Sequence, residues 1–426
     1  MKKGYKQTEI GVIPEDWEVI ALKSIGQWKG GATPSMNNPV YWVNGNIPWA
    51  SSGDIKSIEI GETPYKITDI AIEQTSTTLI PENAIIIVVR SGILRKYLPV
   101  AKTKKSVAIN QDLKAVIPDK NYSVDYLLQI LLLSSYKILS TCLKSGTTVE
   151  SVEYSWLKDF KIPSPPLTEQ KAIAAALSDA DSLITILEKL IEKKRNIKQG
   201  TMQELLTGKR RLPGFTGEWE KKKLGDIFNF SGGYTASREQ LSGEGFCYLH
   251  YGDIHGAKKT YIDVQEEFVN IPKLAVKINQ VSAKSLLNDG DIVFVDASED
   301  DEGTSRHVVV KNNNKTPFIS GLHTIVAKSI DDTLDNEFKR YCFQSEAIRR
   351  QFIFYAVGIK VSGISKKNIA KILLSVPAKS EQTAIASILS DMDAEIEALE
   401  KKLNKYRSIK QGMMQVLLMG KIRLVG

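Results

Sequence analysis

The sequence predicts a mixed α+β protein: two globular α/β domains joined by two long antiparallel coiled-coil helices, arranged as a pseudo-twofold duplication. Three observations predict it. "IKQGTMQELLTGKRRL" (Ile197–Leu212) returns 212 residues later as "IKQGMMQVLLMGKIRL" (Ile409–Leu424), an offset of nearly half the 426-residue chain. In both copies apolar residues fall at alternating steps of four and three, the spacing of a coiled-coil seam. Each half also carries β-rich runs among helical stretches, "AIIIVVR" (Ala84–Arg90) and "DIVFVD" (Asp291–Asp296), as mixed α/β domains do.

The elements follow in chain order as a domain over 1–163, a spacer helix in 164–212, a second domain over 213–375 and a second spacer helix in 376–426. The opening "MKKGYKQTEIGVIPEDWEV" has lysines with no apolar run behind them, so it does not read as a signal peptide. "YLLQILLLSSYKILSTCL" (Tyr126–Leu143) is interrupted by polar residues and reads as a buried helix rather than a membrane span. The first seam runs Ile173, Leu177, Ala180, Ile184, Leu187, Ile191. The second keeps its register with Ile385, Leu389, Met392, Ile396, Leu399, Leu403. Thr168 is the expected N-cap and Gly208 the expected end, which gives a helix of about 38 residues. The second domain leaves the end of one helix and enters the start of the other through short connections, so the two helices are expected to be antiparallel. The domains rhyme more faintly. "DWEVIALKSIGQWKGGATPS" (Asp16–Ser35) aligns with "EWEKKKLGDIFNFSGGYTAS" (Glu218–Ser237), and "SSGDI" (Ser51–Ile55) with "HYGDI" (His250–Ile254). A common frame carries different loops.

Charge permits a nucleic-acid partner without requiring one. The net +8 divides over the four segments as +3, +3, 0 and +2, with no basic tail. "EDDE" (Glu299–Glu302) reads as a solvated acidic loop. Three scattered cysteines suit a reducing cytoplasm and argue against a disulfide framework or a zinc site. Catalytic constellations are missing. "GTMQELLTGK" has the wrong spacing for a phosphate loop, and no glycine-rich cofactor loop follows a strand. "NNPVY" (Asn37–Tyr41) reads as a turn. His250 and His255 have no cysteine or carboxylate cluster at metal-ligand spacing.

Two divergent domains, each followed by a near-identical long helix, together with "PPLTEQKAIAAALSDAD" (Pro165–Asp181), "EQTAIASILSDMDAEI" (Glu381–Ile396) and both "IKQG" stretches, closely resemble the specificity subunit of type I restriction-modification systems, the HsdS family. The lead-in "YKQTEIGVIPEDWEVIALKSIG" (Tyr5–Gly26) looks like that family's usual opening. The resemblance spans essentially the whole chain. It implies two target recognition domains, each reading half of a split, asymmetric duplex DNA site, with the helices as spacer and docking surface. It also implies two methyltransferase subunits and two translocase-nuclease subunits as partners. The chain itself would be non-catalytic and hold no cofactor or metal, with S-adenosylmethionine, ATP and Mg in the partner subunits. The expected location is cytoplasmic.

Base reading needs polar side chains presented from loops into a groove. The candidates in the first domain are Thr33, Ser35, Ser52, Arg90, Arg95, Lys96, Thr147 and Thr148. In the second they are Tyr234, Thr235, Ser237, His250, Tyr251, Arg306, His307 and Lys360. Gly31, Gly53, Gly233 and Gly252 read as backbone-turn positions rather than contacts. Two readings from other classes stand beside this one: a coiled-coil scaffold with two ligand-binding domains and no DNA, and a methyltransferase with degenerate motifs.

Overall fold

The computed structural model describes residues 3–144, 149–257, 259–298, 305–358 and 362–424. It divides into two compact units, Met1–Glu188 with Lys401–Gly426, and Lys189–Glu400. Each unit therefore combines a globular part with a segment of both long helices.

In the first unit a five-stranded sheet runs in the order Gly26–Gly30, Leu113–Pro118, Ile85–Val88, Val100–Thr103, Glu59–Ile60. Its pairs are antiparallel except the last. The apolar run at Ala84 supplies its central strand, and every residue of Ile85–Val88 is buried, as a strand covered on both faces requires. Helix Val124–Cys142 joins the same core through Tyr126, Leu127, Ile130 and Leu131. A smaller sheet runs Tyr65–Ile67, Ile47–Ala50, Val107–Ile109, Leu79–Ile80, with its two inner strands parallel.

The second unit repeats the large sheet as Phe228–Gly232, Thr324–Ser329, Ile292–Val295, His307–Lys311, Tyr261–Asp263, with the same directions. Its small sheet keeps a parallel pair, Phe246–Leu249 with Phe318–Ser320. The flanking strands differ: here Leu241–Ser242 and Lys273–Leu274 lie together on one side. The frame is repeated and its small sheet is where the units diverge. Among the described residues no helix is long and apolar enough to cross a membrane.

The long helices are Leu167–Leu206, 40 residues, and Lys379–Leu417, 39 residues. Thr168 is not the N-cap but lies inside the first turn. The carbonyl of Pro166 accepts the amides of Glu169 and Gln170 at 2.9 and 3.0 Å, and Ala378 does the same for Glu381 and Gln382. Proline has no N–H and its fixed φ suits the entry to a helix, so the start falls earlier than a threonine cap would set it. Both helices end before a glycine with left-handed backbone, Gly208 at φ +69° and Gly420 at φ +65°, as helix C-termini favour.

The expected antiparallel direction is found in each unit. In the first, Glu188 pairs with Arg407 and Asp181 with Lys410, both at 2.6 Å. In the second, Glu400 pairs with Arg195, and Asp393 with Lys198 at 2.5 Å. Each pair recurs after a shift of 212 residues with the helices exchanged. Most of the predicted seam is buried, but Ala180, Ile184, Met392 and Leu399 are only half-buried. The seam is also not purely helix against helix. Ile173 and Leu177 enter the first unit's core beside Leu417 and Leu418. Ile385 and Leu389 enter the second unit's core beside Met202, Leu205 and Leu206.

A third exchanged pair sits at the helix starts. Glu169 is fully buried; it accepts the Trp17 indole N–H at 2.9 Å and two guanidinium bonds from Arg423 at 2.6 and 2.8 Å. In the second unit Glu381 accepts Trp219 at 3.0 Å and Arg211 at 2.6 and 2.7 Å. Arg423 makes two further bonds to Asp16, at 2.9 and 2.8 Å, and holds that carboxyl below its ordinary range. Arg211 and Arg423, just past the helix ends, thus each have a specific buried partner.

Candidate nucleic-acid interface

In both units the chain leaving the first strand of the large sheet crosses the turn that follows the second strand of the small sheet's parallel pair. Ala32 N donates to Ile109 O at 3.0 Å, and Tyr234 N donates to Ser320 O at 2.7 Å. The crossing is too close for a side chain. A Cβ on Gly31 would collide with the Ile109 carbonyl, and one on Gly233 with the Gly321 carbonyl. Gly53 is different, since a Cβ there meets nothing nearer than Ser51 Oγ at 3.8 Å. Gly31→Ala and Gly233→Ala are each expected to destabilise by about 1–3 kcal/mol through overpacking. Gly53→Ala should stay within about 0.5 kcal/mol. Denaturant unfolding of the three variants checks the contrast.

The crossing gathers three loops at one end of the first unit. Thr33 is exposed and its hydroxyl donates to Gln111 Oε1 at 2.8 Å. The Trp49 indole donates to Ala32 O at 3.2 Å, and Asn110 N to Ala50 O at 3.0 Å. These bonds bring the short helix Ser52–Asp54 to the same end, capped by Asp54 onto Ser51. Arg90 is exposed, with Nη1 at 3.9 Å from Asp112 in the adjoining turn. Arg95 pairs with Glu150. Ser35 and Lys96 are exposed, and Ser35 accepts the Trp42 indole N–H through its carbonyl at 3.0 Å. The predicted contacts at Thr147 and Thr148 lie outside the described residues, as do Lys360 and the acidic loop Glu299–Glu302.

The second unit builds the same end from different chemistry. The Tyr248 hydroxyl donates to Tyr234 O at 2.8 Å and accepts from Leu322 N at 3.1 Å, tying two loops together. The Tyr251 ring lies 4.5 Å from His250, 6.2 Å from His255 and 5.5 Å from His323. His250 caps its helix by accepting Gly252 N through Nδ1 at 3.1 Å. Burial, then the nearby Arg238, pushes its imidazole below the ordinary value, which favours the neutral form that bond requires. Thr235 and Ser237 are exposed, and Arg238 beside them bonds Asp253 at 2.8 Å. Arg306 donates to the His255 carbonyl.

His307 corrects the sequence reading. It opens a central strand, is 7% exposed and packs on Phe294 and Phe343 at 5.4 and 5.1 Å. Burial pushes its pKa down to about 4, so it is a neutral core residue that cannot meet a base edge. Sequence reasoning also passed over Gln111 and His323, which stand on the equivalent turns. The turns align at an offset of 211, from Ile109 and Leu113 to Ser320 and Thr324, so Gln111 stands opposite Leu322 and His323 opposite Asp112. Among the described residues no group of His, Cys, Asp or Glu is arranged to hold a metal ion.

Two units thus share one frame and carry different loops on the same crossing. The chain belongs to the type I restriction modification DNA specificity domain family, which residues 14–195 and 216–406 both match. It is 39% identical over 184 residues to the Escherichia coli "type I restriction enzyme EcoR124I/EcoR124II specificity subunit", a match covering 43% of this chain and 45% of that protein, less than half its length. It is 25% identical over 437 residues to the MjaIX specificity subunit of Methanocaldococcus jannaschii, covering 99% of this chain and 96% of that one. Among solved structures, the S subunit of a type I restriction-modification system from M. genitalium superposes with a TM-score of 0.54 at 17% identity, over 94% of this chain and 96% of that one. That likeness shows the fold. The chain is thus a DNA-recognition specificity subunit, non-catalytic in itself, with DNA and the other subunits of a type I restriction-modification complex as its partners. A scaffold without DNA finds no support.

Proposed function

We propose that each unit reads one half of a split, asymmetric duplex target. One methyltransferase subunit docks at each of the two equivalent helix faces, and two translocase-nuclease subunits add to the cytoplasmic complex. The observation that carries this reading is the exchange of ion pairs at the 212-residue offset. Identical partners need equivalent faces, so the helices stay alike. Unlike half-sites need unlike readers, so the loops diverge. Of the candidate contacts, the exposed Thr33, Ser35, Arg90, Arg95 and Lys96 and the half-buried Ser52 stand for the first half-site. Tyr234, Thr235, Ser237, His250, Tyr251 and Arg306 stand for the second.

Replacing residues 1–163 with the corresponding domain of a relative is the test. Methylome sequencing of the complex with its methyltransferase partner should then show a new sequence at one half of the target and the old one at the other. A change at both halves would sink the modular reading.

A further inference from the structure

We propose that the turn after the second strand of the parallel pair in each unit is a specificity determinant, with Gln111 reading a base in the first half-site and His323 in the second. This rests on the half-site reading above and names residues within it. The two turns are structural equivalents: each follows a buried strand (Val107–Ile109, Phe318–Ser320), and each packs on the glycine crossing. Each then enters the strand next to the centre of the large sheet. Their backbones are thereby fixed from below, while Gln111 is exposed and the His323 side chain is about half exposed at 52%. A rigid base under an exposed polar tip is what direct readout needs.

Each tip is also oriented from the side. The Thr33 hydroxyl occupies one lone pair of Gln111 Oε1. That leaves the second lone pair and both amide hydrogens, the acceptor and donor that match the N7 and N6 edge of adenine. His323 is held by the edge of Tyr251 and by Asp296, whose carboxylate lies 3.4 Å from Nδ1. With Nδ1 beside that carboxylate, Nε2 is the ring nitrogen left to meet a base edge. The His323 backbone is left-handed, at φ +58°, an uncommon state for a residue with a side chain and one that recurs at functional turns. The frame is common and the polar tip differs in kind and place, Gln111 standing opposite Leu322 and His323 opposite Asp112, as two unlike half-sites require.

The test uses the full chain assembled with its methyltransferase subunits, comparing wild type, Gln111→Ala and His323→Asn by methylome sequencing. Asparagine tolerates the left-handed backbone, and thermal melting checks that both variants fold. Gln111→Ala should lose preference at one base pair of one half-site by about tenfold to a hundredfold. His323→Asn should do so in the other half-site only. Should Gln111→Ala fail to fold, Gln111→Glu, equal in shape, decides the same point by removing the donors. Unchanged preference at every position in folded variants overturns the inference and leaves the half-site reading standing. A wild-type complex that marks no two-part site overturns that reading itself.

Discussion

A fragment of residues 1–212 forms a symmetric dimer that, with methyltransferase subunits, methylates a palindrome of the first half-site and its inverted repeat. The expectation follows from the exchanged pairs. The partners Arg423, Lys410 and Arg407 of Glu169, Asp181 and Glu188 have counterparts 212 residues earlier, in Arg211, Lys198 and Arg195. Two copies of the fragment can therefore make all three pairs twice over. The apolar contacts carry over too, since Leu205 and Leu206 stand for Leu417 and Leu418 in the first core. The dimer should be weaker than the intact chain at three places. Met413 and Val416, which pack against that core, become Thr201 and Glu204. Lys194, bonded to Glu395 at 2.7 Å, meets Leu183 instead. Sedimentation should still report a dimer at concentrations on the order of tens of micromolar, where exposed apolar surface associates. A fragment that stays monomeric there, or a dimer that marks no palindrome, would contradict the exchange.

Arg423→Met should destabilise the first unit by about 2–3 kcal/mol. Removing one partner of a buried ion pair leaves a carboxylate without its charge partner, at a cost of about 3–5 kcal/mol. The lower figure applies because Arg423 keeps 27% of its side chain exposed, while Glu169 keeps none. Removing the charge on both sides, in Glu169→Gln with Arg423→Met, should recover at least half of the loss, since glutamine still accepts the Trp17 N–H. Denaturant unfolding followed by tryptophan fluorescence measures both. A single variant within about 0.5 kcal/mol of the parent would mean that the contact is only a surface pair. Asp16 adds a pH dependence of known sign. Its lowered pKa means that its contribution is present above its ordinary pKa of 3.8 and is lost as the pH falls through the lowered value, as linkage requires for a depressed carboxyl.

The repeated helices, their direction and most of their seam were legible because they rest on local periodicity and on connectivity. Their extents came within two residues or so of the observed ones. What escaped was set by tertiary contact. Thr168 is a good cap by type, but Pro166 already carries the first carbonyl of the helix. His307 is polar by type, yet its strand is covered on both faces. Gln111 and His323 carry no local signal at all. They matter because a distant glycine crosses beneath them, and only the pairing of strands far apart in sequence creates that crossing. The half-buried Ile184 and Leu399 show the same limit from the other side, since a regular spacing fixes which face is apolar but not how fully it is covered.

The exchanged pairs also set an order of events on the ribosome. The second unit is one unbroken stretch, Lys189–Glu400, whereas the first must wait for Lys401–Gly426. The part made first is thus completed last. At about 5–20 residues per second, Arg423 follows Arg211 by roughly 10–40 s. Throughout that interval Glu169, Ile173 and Leu177 lack their partners, while Arg211, Leu205 and Leu206 of the same nascent chain are already made and chemically equivalent to the missing ones. Neighbouring nascent chains on one messenger could satisfy each other during that wait, so synthesis carries a window for pairing between copies that closes when Lys401–Gly426 emerges.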